Sequence, residues 1–364
     1  MVWSKSTILF LIISLFAFVA CQKNIADHLH EDPLPEPIPG EKKWIVTTVA
    51  GNGNASYING AVSSATFNFP EDVVVTSNGT IYVTDVINKV IRKIANAQVS
   101  TLAGNGDFEI SDGNGVMAGF KSPYSITIDA NGYLYTTDEN DPRIRRISPN
   151  GDVITYVGIA TPGFSDGDKN NAQFKPGNYI IADALGNLYI SDAGNHRIRK
   201  IDQSGQVSTI AGSGVAGYKD GNALTAQFNS PGGLTIDKLG NLFIVDKGNF
   251  RVRKISSDGV VTTVAGNGIE GDNDGINSDA QFNLDTRDIV ADESLNLYLT
   301  DRNKIRKISS DGLVTTIAGS TSGFQDGEGL SAKFNFPNGL SIDNTGKLYV
   351  ADLINNRIRK ISFE

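Results

Sequence analysis

Two kinds of stretch in this 364-residue sequence hold side chains able to do chemistry. The first is DAGNHRIRKI, residues 192–201, where three cations and His196 follow one carboxylate. Such a cluster can grip phosphates through Arg197, Arg199 and Lys200, or use His196 as a base or metal ligand. The second is a set of residue pairs, each at the head of an apolar run: Glu71-Asp72, Tyr124-Ser125, Asn178-Tyr179, Gly232-Gly233, Arg287-Asp288 and Asn338-Gly339. Gathered at one place, these carboxylates, Arg287, two tyrosines and two asparagines could hold a small polar ligand, a peptide terminus or a divalent cation.

The elements that carry both sets repeat. DVINKVIRKI, DENDPRIRRI, DKGNFRVRKI, DRNKIRKI and DLINNRIRKI are sisters of the first stretch, and the six leading aspartates are 53, 54, 54, 55 and 51 residues apart. Self-similarity at that period marks a repeat architecture. Each unit has an apolar run opening on one of the polar pairs, a second run such as GNLYISD, the Arg-rich run, and a VTTVAG-like run. Their β-branched and aromatic content, bounded by Gly and Asn, predicts four strands, a to d. The sixth copy of strand d is missing after residue 361 and stands instead at residues 46–51. That offset predicts an all-β, six-bladed β-propeller of four-stranded blades, spanning 44–364 and closed by the N-terminal strand without open edges.

Six copies in one chain act as an internal control. Asp85, Asp138, Asp192, Asp246, Asp301 and Asp352 recur at the end of strand b, and Arg92, Arg145, Arg199, Arg253, Arg306 and Arg359 recur in strand c. A pocket is built once, so both series read as structural: the acids accept turn N–H groups and the guanidiniums bind nearby carbonyls or acids. Phe67, Phe120, Phe174, Phe228, Phe282 and Phe334 recur likewise and are expected to fill the space between blades. His196 is replaced by Lys89 and Phe250 in sister units, which removes it as a site. Function is expected at the pairs that differ, so the candidate ligand-binding residues are Glu71, Asp72, Tyr124, Asn178, Tyr179, Arg287 and Asp288.

Charge narrows the partners. The six Asp-to-Ile windows contain 20 of the 32 Lys+Arg but only 8 of the 40 Asp+Glu, while the chain as a whole carries −8. Cations dealt evenly round a ring, with acids in the neighbouring loops, do not make the one-sided basic, aromatic-interleaved face that nucleic acid needs. Nucleic acid is therefore excluded, and a monomer is expected.

The unit P-x-G-[LI]-x-[IV]-D, then G-N-L-[YF]-[IV]-x-D, then N-H-R-I-R-K-I resembles the NHL repeat, over residues 44–364. The resemblance implies a propeller but leaves function open, because this fold serves scaffolds, sensors, lyases and lactone hydrolases. The leading expectation is a binding or interaction scaffold for a protein, peptide or glycan of the cell envelope, without catalytic residues or cofactor. The alternative is a metal-dependent hydrolase or lyase. The gluconolactonase type holds a divalent cation in the channel through carboxylates and asparagines, which Glu71, Asn178 and Asp288 could imitate.

The N-terminal region has a different composition. Residues 8–20, ILFLIISLFAFVA, follow Lys5 and are too short to span a bilayer, so residues 1–20 read as a signal peptide. Cys21, the only cysteine, stands directly after Ala20 and resembles the lipidated cysteine of a bacterial lipobox. Prolines at 33, 35, 37 and 39 make residues 21–43 a semi-rigid tether. The expected product is an exported lipoprotein that meets the membrane through its lipid anchor alone.

Overall fold

A computed structural model describes residues 42–364. The signal segment, Cys21, the proline tether, His28 and His30 lie outside the described residues. Six antiparallel sheets follow one another along the chain as blades. Blade 1 is typical: strand a is Pro70–Val75, strand b Ile81–Asp85, strand c Val90–Ala95 and strand d Gln98–Ala103. The inner strands join blade to blade, as where Val75 N donates to Ser341 Oγ at 3.1 Å and Ala182 N to Thr127 Oγ1 at 3.1 Å.

The ring closes as the offset predicts. Trp44–Ala50 is strand d of blade 6, paired with Arg357–Phe363 from Trp44 opposite Phe363 to Ala50 opposite Ile358. Val46 is fully buried there, and the Trp44 ring packs on Tyr298 and Phe363.

Five blades carry a fifth strand, which the sequence reading did not foresee. Gly60–Ala61, Gly113–Asn114, Gly221–Asn222, Gly275–Ile276 and Gly327–Glu328 each lie along the outer edge of a d strand. In blade 3 a single bridge between Gly167 and Val207 takes their place. An uncovered edge invites pairing with another chain, and these short strands cover it. Two residues have no period to read, so only the turn glycine that opens each of these strands signals their presence.

The repeated side chains form the space between blades. All six phenylalanines are essentially buried, and Phe67 packs between blade 6 residues such as Ile358 and blade 1 residues such as Val83. Each strand-c Arg lies over its Phe, from 4.9 Å for Arg199 on Phe174 to 5.4 Å for Arg306 on Phe282. Arg199 Nη1 donates to Asp192 at 2.8 Å and to Gln173 O, while Nη2 reaches Ser165 O and Asp166. Five blades repeat the buried Asp–Arg pair. In blade 2 Asp138 serves the N–H groups of Lys121, Ser122 and Asn140, and Arg145 turns to Gly119 O, Ser111 O and Asp112. His196 sits in the left-handed region at φ 55, and its Nδ1 accepts from Ser230 N at 3.1 Å. It is a link between blades 3 and 4.

Candidate functional site

The first residues of the a strands ring the upper end of the channel, and there the blades cease to be alike. Asp72 and Asp288 are buried, 4% and 7% exposed, below the mouth. Asp72 Oδ2 accepts from Ser125 Oγ at 2.7 Å and Ile126 N at 2.8 Å, and its Oδ1 from Val73 N at 2.7 Å. Asp288 repeats this, with Oδ2 accepting from Leu340 N at 2.9 Å and Oδ1 from Ile289 N at 2.9 Å. Both carboxylates therefore tie one inner strand to the next. Each has a glycine, Gly339 or Gly233, on the blade before it, because a Cβ there would collide with the aspartate.

Burial raises both carboxyls. Asp72 goes up to about 6 through desolvation, held back by the bonds from Ile126, Ser125 and Val73. Asp288 is raised as well, through desolvation and then through the charge of Asp72. A charge on Asp72 opposes one on Asp288, so the two carboxyls titrate as a coupled pair. They line a cavity of about 110 Å³ shared with Ser125, Tyr179, Ile180 and Leu234.

Above this neck runs a chain of hydrogen bonds. Tyr124 OH donates to Tyr179 OH at 3.3 Å, Tyr179 OH donates to Asn338 Oδ1 at 2.9 Å, and Asn338 Nδ2 donates to Glu71 Oε1. Desolvation lifts Glu71 to about 8, against the opposing pull of Arg287, so it is mostly protonated at neutral pH. Burial also raises both phenols, which stay neutral. Among the described residues Arg287 makes a single ion pair, with Asp285 at 3.2 Å. Lys247 stands near enough that desolvation and Arg287 together lower its ammonium. The mouth thus sets a neutral row of donors and acceptors beside Arg287 and Lys247, with Asp285 paired to Arg287 and Glu139 close by. A carboxylate or another polar anion is the chemistry this complements.

The structure brings Glu71, Tyr124, Tyr179 and Arg287 together and places Asp72 and Asp288 one layer below. Asn178 is elsewhere: Nδ2 donates to Lys175 O at 2.5 Å and Oδ1 accepts from Ala193 N at 3.2 Å, within its own loops. Of the three residues suggested for a cation, Asn178 thus spends both side-chain polar atoms on its own loops. Among the described residues, no group of three or more His, Cys, Asp or Glu is placed to hold a metal ion. Two members of the site were missed from sequence. Asn338 stood among the variable pairs, of the same type as Asn178, and nothing in the sequence set the two apart. Lys247 follows the strand-b Asp, where sister units have Val86, Glu139, Ala193, Arg302 and Leu353, and that variability was a readable signal.

The sequence profile of the Teneurin NHL domain matches residues 96–287, more than half of the chain, and that of the NHL repeat matches residues 67–92 and 334–361. The chain belongs to the NHL family, with a teneurin-type NHL domain. It is 27% identical over 285 residues to protein SUPPRESSOR OF QUENCHING 1, chloroplastic, of Arabidopsis thaliana, covering 58% of this chain and 27% of that one. It is 25% identical over 308 residues to human Teneurin-4, covering 76% of this chain and 11% of the teneurin. The NHL propeller thus spans about a quarter or less of these relatives. Among solved structures it is similar to an auxiliary nutrient binding protein from Bacteroides thetaiotaomicron, with a TM-score of 0.67 and 18% identity over 91% of this chain and 79% of that one. A gluconolactonase from Xanthomonas campestris gives a TM-score of 0.58 at 10% identity over 92% of this chain and 99% of that one. At these identities the likeness is one of fold.

Proposed function

We propose that this NHL propeller is an exported binding scaffold, anchored through a lipid on Cys21, that takes a polar, carboxylate-bearing segment of an envelope protein, peptide or glycan at its channel mouth. One observation carries the reading. The blade pattern breaks at the mouth, where Arg287, paired with Asp285, stands beside the chain from Tyr124 through Tyr179 and Asn338 to Glu71. The membership of the NHL family and the fold likeness to a nutrient binding protein support a binding role.

The test compares proteins captured from an envelope extract by the purified protein and by Arg287→Ala. Capture by the first and at least tenfold less by the second is expected; equal capture by both would remove the mouth as the binding surface. A thermal-shift series with Ca²⁺, Zn²⁺ and Mn²⁺ probes the hydrolase alternative, which needs stabilisation that Glu71→Gln abolishes. For the anchor, Cys21→Ser is expected to release the protein from the membrane fraction, and an unchanged membrane fraction sinks the lipoprotein reading.

A further inference from the structure

Blade 5 departs from its sisters at one place on the loop-bearing face. From the strand-b Asp to the strand-c Arg, five blades advance as Asp192 to Arg199 does, whereas blade 5 goes from Asp301 to Arg306, two residues fewer. The deletion removes the asparagine that clamps this loop to the d–a loop in four of the five sisters, blade 2 having Asp141 there. Asn88, Asn195, Asn249 and Asn355 donate Nδ2 to Ser56 O, Gly163 O, Gly217 O and Gly323 O.

Two covering side chains change in the same blade. The aromatic at Tyr57, Phe164, Tyr218 and Phe324 becomes Asp272. The arginine that lies 3.7 to 3.9 Å from such a ring, as Arg197, Arg251 and Arg357 do, becomes Lys304, which pairs with Asp272 at 2.7 Å. A notch of about 330 Å³ opens where the stack would be, lined by Asp272, Asn283, Arg302, Asn303, Lys304 and residues 320–322.

Polar atoms in the notch are left unspent. Among the described residues the side chains of Arg302 and Thr321 have no hydrogen-bond partner. Asn303 uses Oδ1 to accept from Phe336 N at 3.3 Å, which leaves its amide N–H₂, and Asp272 engages Lys304 through Oδ2, which leaves Oδ1. Lys304 is paired with Asp272 and Asp301 with the buried Arg306, so the notch offers donors and acceptors together around the one charge of Arg302.

We infer that this notch is a binding site for a neutral sugar residue, a hexopyranose unit whose vicinal hydroxyls donate and accept at once. The planar guanidinium of Arg302 and the amide of Asn303 suit paired hydroxyls, with Asp272 Oδ1 and the Thr321 hydroxyl completing the ring of partners. Its volume is at the small end of ligand pockets. The notch adjoins the mouth, since Arg302 N donates to Asp285 O at 3.2 Å, but shares none of its side chains.

Saturation-transfer NMR on the purified protein would use methyl glucopyranoside, methyl mannopyranoside, methyl galactopyranoside and methyl glucuronide as probes. At least one neutral glycoside is expected to receive saturation, with the signal lost at least fivefold in Arg302→Ala and in Asp272→Tyr. The latter rebuilds the aromatic cover that Tyr218 gives blade 4, and unchanged amide spectra confirm that both variants are folded. No transfer to any neutral glycoside, transfer that survives both variants, or transfer to the glucuronide alone would overturn the assignment. So would loss in Arg287→Ala with retention in Asp272→Tyr, which moves the sugar to the mouth.

Discussion

Asp288 lies against the bare backbone of Gly233: a Cβ at residue 233 would stand 2.5 Å from Asp288 Cα and Oδ1. Gly339 bears the same relation to Asp72. Because the preceding blade offers no side chain, each aspartate turns Oδ1 back to the N–H of the next residue and reaches forward with Oδ2. The glycine and the aspartate are two halves of one inter-blade joint.

Gly233→Ala is therefore expected to destabilise the propeller by about 1–3 kcal/mol through overpacking. Gly232→Ala, whose Cβ would come no nearer than 3.2 Å to any atom, that atom being Arg287 O, is expected to cost less. Thermal unfolding of the two variants checks the order.

The buried Asp–Arg pairs give a sharper contrast. Arg199→Leu strands Asp192, which like Arg199 has a fully buried side chain, and a loss of about 3–5 kcal/mol is expected. Arg197→Ala removes a partly exposed stack 3.8 Å from the Phe164 ring, and a loss of about 1 kcal/mol or less is expected. Urea denaturation separates them, and equal losses would mean that the buried pair is not what holds the blade.

Much of this was legible because repetition multiplies signal. Asp192 and Arg199 each appear six times, so their structural role could be read from the sequence, as could the closing strand from the displaced VTTVAG. The site was only half legible. Glu71 and Arg287 announced themselves by charge, but Asn178 shares its type with Asn338, and only backbone geometry turns one into its loop and the other into the channel. Nothing in the sequence distinguishes an aspartate spent on backbone N–H groups, such as Asp72, from one free for a ligand.

Glu71 makes stability depend on pH. Its carboxyl is raised in the folded protein to about 8, so the folded state holds that proton more tightly than the unfolded chain. Its contribution favours folding at low pH and is lost as pH climbs from the ordinary carboxyl range toward 8. Glu71→Gln keeps an uncharged group there, so the melting temperature of wild type relative to Glu71→Gln is expected to fall between about pH 5 and 8. A constant difference would place Glu71 in water.

Deleting residues 42–50 removes strand d of blade 6 and lays bare the edge of Arg357–Phe363. Loss of a single cooperative thermal transition is expected, with concentration-dependent association through the open edge visible by light scattering. A variant that melts cooperatively as a monomer would show that the ring closes without this strand.

Lys43 N donates to Glu364 O and Glu364 N donates to Lys43 O, so the two ends of the described domain meet in one blade. A circle joined in this way has no privileged starting point. The order in which the blades are written in the polypeptide is separable from the shape they make, so a circular permutant joining residue 364 to residue 43 and opened in another exposed loop keeps every contact of the channel. What the present order adds is the address: residue 43 enters the ring at blade 6, the blade that supplies Asn338.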